Sequence, residues 1–160
     1  MIPDQLTWFD GLEIDEHHEG WKAAKAIRIE VFVEEQSCPW NEEFDGLDAG
    51  ARHLLMRREK DGRRVDIGTA RWRQVDDEGV ATAKLERFAV RPDHRRGGVG
   101  QRLVNAVIED AQQRGFNRFM LHAQEYLTDF YRAFGFLTVG QRFIEAGIPH
   151  RRMVRDDRDD

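Results

Sequence analysis

Ten residues, Arg91-Pro92-Asp93-His94-Arg95-Arg96-Gly97-Gly98-Val99-Gly100, concentrate arginine and glycine in one short run. A glycine-rich turn leading into a helix suits a phosphate. Free N–H groups of the turn and first helical turn point at the anion, and the helix dipole adds to the attraction. Glycines let the backbone approach without a Cβ in the way. Arg91, Arg95 and Arg96 supply guanidinium groups that complement phosphate. A Walker A loop would need Gly-Lys-Ser/Thr, but Gly100 is followed by Gln101 and Arg102. A dinucleotide fingerprint would need a third glycine where Leu103 stands. What remains is Arg-x-x-Gly-x-Gly. A solvated basic turn with no ligand has the same residues, and the run by itself leaves both readings open.

The elements that would position this run follow from periodicity. Thr82 to Val90 reads as a strand entering the turn, and Leu103, Val104, Val107, Ile108 and Ala111 fall on one helical face behind it. Gly115 ends that helix. Upstream, Leu6 to Phe9 reads as a strand and Trp21 to Val33 as a helix. His53 to Met56 and Val65 to Trp72 read as strands joined by an Asp61-Gly62 turn. A second turn spans Asp77 to Gly79. Downstream, Arg118 to Ala123 is a strand. Leu127, Phe130, Tyr131 and Phe134 share one face of a short helix ended by Gly135. Leu137 to Ile144 and His150 to Val154 pair around Gly147-Ile148-Pro149. Strand, helix, three strands, helix, strand, helix and two strands describe an α/β (α+β) layered domain over residues 1–154. The all-charged tail, residues 155–160, is expected to be disordered.

The whole chain bounds the function. Its 160 residues suit one domain, and 40% hydrophobic with 34% charged residues is a soluble globular composition. A net charge of -5 argues against a nucleic-acid-binding body. Nothing approaches a membrane span, and the N-terminus has no signal-peptide pattern. A single cysteine, Cys38, cannot form an internal disulfide, so a reducing, cytoplasmic setting is expected. The histidines show no metal-ligand spacing, so no metal is expected.

With these residues in view, the sequence resembles the GNAT superfamily of acetyl-coenzyme A-dependent acyltransferases. Its motif A appears as the strand Leu85 to Pro92, then Arg95 to Gly100, then the Leu103 helix. Its motif B appears as Phe130-Tyr131-Arg132-Ala133-Phe134-Gly135-Phe136. Val31 to Gln36, Cys38-Pro39-Trp40, Asp45-Gly46, Asp48, His53 and Gly147-Ile148-Pro149-His150 look like the ElaA/YjcF-like branch. The resemblance implies a mixed, mostly antiparallel sheet of about six or seven strands, helices on both faces, splayed between the fourth and fifth strands. It puts coenzyme A pyrophosphate on the N–H groups of Arg96, Gly97, Gly98, Val99, Gly100 and Gln101, beside Arg95. It lays pantetheine along Phe88, Ala89 and Val90, with Gln124 where the family often has asparagine.

Such chemistry moves acetyl to a primary amine by direct attack through a tetrahedral intermediate. The amine must lose a proton, and the departing thiolate must gain one. Tyr131 is placed by the resemblance at the coenzyme A sulfur, and a phenol near pKa 10 stays protonated at neutral pH. Glu86 is the expected base, on a strand face shared with Phe88 and Val90 by alternation. Glu35, His122 and Glu125 are further candidates. His53 and His150 read as structural or cleft-lining. The acidic stretch Glu34, Glu35, Glu42, Glu43, Asp45 and Asp48 is either a wall attracting a cationic amine or an ordinary solvated loop. A non-catalytic acyl-coenzyme A sensor and a transferase for another acyl group are the alternatives. The expected partner is a small-molecule or peptide amine, with a homodimer possible in this superfamily.

Overall fold

A computed structural model of the chain describes residues 3–158. Seven strands form one sheet: β1 (Gln5–Asp10), β2 (Arg52–Lys60), β3 (Arg63–Asp77), β4 (Val80–Val90), β5 (Arg118–Gln124), β6 (Leu137–Glu145) and β7 (Ile148–Asp156). Their spatial order is β1-β2-β3-β4-β5-β7-β6. Among the described residues only β4 and β5 pair in parallel. Three hairpins turn on two-residue loops with both residues left-handed: Asp61-Gly62, Glu78-Gly79 and Ala146-Gly147. That geometry matches the twist of the flanking strands. The last turn falls one residue earlier than Gly147-Ile148-Pro149 suggested. Pro149 lies inside β7, beyond the end of its pairing with β5, where no ladder bond to β5 is lost.

The described residues hold four α-helices: α1 (Glu19–Arg28), α3 (Val99–Gln113) and α4 (Thr128–Arg132) pack on the sheet, and α2 (Trp40–Glu43) packs beside the segment that follows α1. Leu103, Val104, Val107 and Ala111 of α3 are buried against Ile67, Leu85, Phe119 and Leu121. On the other face Ile27 and Val31 cover Leu55 and Ala89. The α1 region stays helical to Glu35, but Ile29–Glu35 widens into a π-turn, with Gln36 N–H bonded to Val31 C=O at 3.2 Å. Helix α3 closes as the glycine predicts: Gly115 is left-handed, and Phe116 N–H reaches Ala111 C=O in a Schellman closure.

Two expectations are corrected. The tail was expected to begin at Arg155, but Arg155 and Asp156 belong to β7, opposite Phe119 and Arg118. Arg155 lies over the Phe119 ring and donates to Phe134 C=O at 3.0 Å, so its charge is satisfied at the sheet. Residues 159–160 lie outside the described residues. Second, Glu86 does not share a face with Phe88 and Val90. β4 carries one extra residue against β3, between the pairs Arg71↔Glu86 and Thr69↔Ala89. Arg87, with φ +60°, takes up the bulge. A bulge shifts the alternation by one, so Phe88 and Val90 pack on the α3 side and Glu86 points to the α1 side.

Candidate active site

Strands β4 and β5 pair only at Ala83↔Phe119 and Lys84↔Met120. Beyond those pairs they separate, leaving the later edge of each strand unpaired toward the other. The gap opens into a cleft of about 1030 Å³. Phe88, Val90 and Tyr131 line it from the α3 side. Lys84, Glu86 and His122 line it from the α1 side, each alternating with a core residue of its strand.

At one end stands the N-terminus of α3. Gly97 and Gly98 are both left-handed, at φ +80° and +79°. The first helical bond runs from Arg102 N–H to Gly98 C=O, and no side chain caps the helix. The N–H groups of Val99, Gly100 and Gln101 therefore lack intrahelical acceptors, which makes a backbone anion site. Gly100, Gln101 and Arg95 line the cleft, as do Ala89 and Gln124. Arg96, Gly97 and Gly98 stand outside its lining, and the Val99 side chain is fully buried beneath the turn.

The loop arginines differ. Arg91 is held by Glu30 at 2.6 Å. Arg95 donates to Val90 C=O at 2.9 Å and grips Glu35 with both terminal nitrogens, at 2.7 and 2.5 Å. Arg96 is exposed, with no ion-pair partner among the described residues. Across the cleft, Gln124 Nε2 donates to Gln36 Oε1 at 2.9 Å.

Tyr131 is 7% exposed, among Phe88, Phe130 and Phe136 at centroid distances of 6.2, 5.1 and 6.3 Å. Burial pushes its phenol pKa well above the ordinary value, so it stays protonated at neutral pH. Its hydroxyl has no hydrogen-bond partner among the described residues.

The profile of the acetyltransferase (GNAT) domain matches residues 17–156. The chain belongs to the GNAT family. It is 37% identical over 144 residues to YjcF, an uncharacterized N-acetyltransferase of Bacillus subtilis strain 168, covering 89% of this chain and 97% of that protein. Among solved structures, Escherichia coli ElaA superposes with a TM-score of 0.81 at 28% identity, over 96% of this chain and all of ElaA (100%). An acyl-CoA N-acyltransferase from Pseudomonas aeruginosa gives 0.79 at 27%, over 94% and 99%. Both the ElaA/YjcF-like branch and the splayed mixed sheet are borne out. The protein is an N-acetyltransferase of the acyl-coenzyme A-dependent kind.

As a GNAT protein it differs from the sequence reading on the α1 flank of the cleft. Of the acidic stretch, Glu43, Asp45 and Asp48 are bound internally by arginines, while Glu34 and Glu42 stay exposed. Arg28, 1% exposed, holds Glu43 and Asp48, each at 2.7 Å. Arg71 holds Asp48 at 2.8 Å, Asp45 at 2.9 Å and Glu86 at 3.1 Å. Arg87 joins Glu43 and Asp45, both at 3.1 Å. Glu86 also accepts from Arg73 Nε at 2.5 Å. Burial works to raise the Glu86 pKa, but Arg71, Lys84 and Arg73 outweigh it and hold the carboxyl below its usual range. Sequence reasoning missed Lys84 and Glu145 in the cleft. Lys84 was legible, two residues before Glu86 on the same strand face. Glu145 was not, because no local spacing joins it to His122, 23 positions earlier.

Proposed function

We propose that this GNAT protein transfers an acetyl group from acetyl-coenzyme A to a primary amine by direct attack, with Tyr131 protonating the departing thiolate. The observation carrying this reading is the β4/β5 gap, which joins an uncapped helix N-terminus to a buried phenol whose hydroxyl is unpartnered. The residues fit the co-substrate part by part. The N–H groups of Arg96 to Gln101 would take the pyrophosphate, and Arg96 is free to add a charge. The open edge of Phe88, Ala89 and Val90 offers backbone groups to the pantetheine amides. Gln124 would exchange its bond to Gln36 for one to that arm, and Arg95, already fixed to Glu35, would shape the loop. Acetyl-coenzyme A supplies a thioester whose carbonyl is open to attack.

Glu86 was expected to be the base. Two guanidinium partners and a depressed pKa make it a poor proton acceptor, since a useful base titrates near the working pH. In this reading it anchors Arg71 and Arg73 in the cleft wall.

The test is release of free thiol from acetyl-coenzyme A against a panel of primary amines, with mass spectrometry of the products. Amine-dependent thiol release matched by an N-acetyl product is expected. Thermal stabilisation by acetyl-coenzyme A with no release for any amine would overturn the transfer reading.

A further inference from the structure

On β5, Phe119, Leu121 and Ala123 enter the core beneath α3. His122 therefore faces the opposite side of the sheet, in the cleft wall with Lys84 and Glu86. Its Nδ1 lies 3.1 Å from Glu145 Oε1. Glu145 comes from the end of β6 and is kept below the ordinary carboxylate range chiefly by its hydrogen bond to His122, against some burial, with His150 and Lys84 assisting. An ionised carboxylate only accepts, so Nδ1 carries the proton and Nε2 of the neutral ring holds a lone pair. No described residue takes Nε2. Phe143 stands edge-on to the ring at 5.0 Å and 76°, which limits its rotation. His150, 6% exposed, bonds Ile148 C=O through Nδ1 at 2.7 Å and has Nε2 3.8 Å from the second Glu145 oxygen.

We propose that His122 accepts the proton of the incoming amine, with Glu145 as the residue that positions it. This rests on the acetyl-transfer reading and names the proton acceptor which that reading leaves open. Imidazole is the side chain suited to exchanging a proton at physiological pH, unlike a carboxylate locked to guanidiniums or a buried phenol. The groups facing His122 are Lys84 and Glu86 from β4, Glu145 from β6, and His150 and Arg152 from β7. The Arg152 guanidinium is taken by Asp77 at 2.5 Å.

The protons balance. Nε2 of His122 takes one proton from the ammonium and passes it to solvent. The freed lone pair forms the N–C bond as the carbonyl π pair moves to oxygen. When the C–S bond breaks, its pair goes to sulfur, which takes the Tyr131 proton. The second proton lost by nitrogen restores the phenol.

The experiment compares wild type, His122→Gln and Glu145→Gln in three readouts. The first is thermal shift with acetyl-coenzyme A. The second is the pH profile of thiol release with benzylamine, an ammonium at neutral pH, and with 4-methoxyaniline, which is already neutral there. The third is an NMR titration of the His122 ring. His122→Gln is expected to keep the acetyl-coenzyme A shift, lose about 10²–10⁴-fold in benzylamine kcat, lose the acidic limb of the profile, and affect 4-methoxyaniline less. Glu145→Gln is expected to move that limb, and the NMR midpoint of His122, to lower pH, because the imidazolium loses its carboxylate. An unchanged acidic limb in His122→Gln, or an unmoved NMR midpoint in Glu145→Gln, would overturn the assignment. A wild type that binds acetyl-coenzyme A but acetylates neither amine would count against the parent reading, and the NMR titration would still judge the pair.

Discussion

The two flanks of the cleft are built by different means. The α3 flank is made of backbone: a strand, two left-handed glycines and a helix whose first N–H groups are free. Its phosphate-facing part lies within one continuous stretch of chain, and Tyr131 of α4 completes it. The α1 flank is made of side chains from seven segments, α1, α2, the loop after α2, β3, β4, β5 and β6. They meet as Arg28–Glu43, Arg71–Asp45–Glu86 and His122–Glu145. A backbone site for phosphate tolerates side-chain change and fails only when its conformation is denied. A side-chain network fails when one member is deleted, because the partner is left buried and charged.

Mutations should separate the flanks. The largest effect is expected at the centre, where both meet. Tyr131→Phe should lower kcat by about 10²–10⁴-fold with little change in the acetyl-coenzyme A dissociation constant, read by steady-state kinetics beside calorimetry. Equal turnover would remove the phenol from the mechanism.

On the side-chain flank, Arg71→Met should destabilise the fold by about 3–5 kcal/mol, the usual cost of breaking a buried pair from one side. Chemical denaturation measures this, and a change under about 1 kcal/mol would place the network at the level of surface pairs. The same network gives a pH signature. Burial tends to raise the pKa values of Asp45 and Asp48, but Arg71, with the Leu47 N–H and Arg87, lowers the first, and Arg28 with Arg71 lowers the second. Folded values below unfolded ones mean this stability is complete above the ordinary carboxylate range near pH 4. It is lost as pH falls through the depressed values. Melting temperature should therefore hold from neutral pH to about pH 5 and fall below that, with a shallower fall in Arg71→Met.

On the backbone flank, Gly98→Val denies the left-handed conformation, at roughly 1–2 kcal/mol of strain. It should weaken acetyl-coenzyme A binding by about tenfold or more, since each ~1.4 kcal/mol of lost phosphate contact is a factor of ten. The smallest effect is expected for Arg96→Ala: a few-fold loss of affinity that fades with added salt, as an exposed charge should.

The same division explains what could be read from the sequence. The phosphate turn, its strand and helix, and Tyr131 are local patterns, and residues a few positions apart define them. The mixed, mostly antiparallel sheet and the β4/β5 gap came through resemblance to the family, since periodicity does not say which strands separate. Three features stayed hidden because each needs tertiary pairing. Arg87 absorbs a bulge that flips Phe88 away from Glu86. Arg28 and Arg71 convert an apparently free acidic stretch into an internal ion network. The short α2 helix, Trp40–Glu43, delivers Glu43 to Arg28, 15 residues earlier. Arg155 escaped for a related reason: a charged residue reads as tail until an aromatic ring and a carbonyl are found beneath it.

The most direct test is calorimetric titration of acetyl-coenzyme A, coenzyme A, ATP and NAD into the wild-type protein and Gly98→Val. The account predicts saturable binding of both coenzyme A forms to wild type, sharply weakened in Gly98→Val, and none of ATP or NAD. Binding of acetyl-coenzyme A that is the same in both proteins, or binding of ATP or NAD in its place, would contradict it.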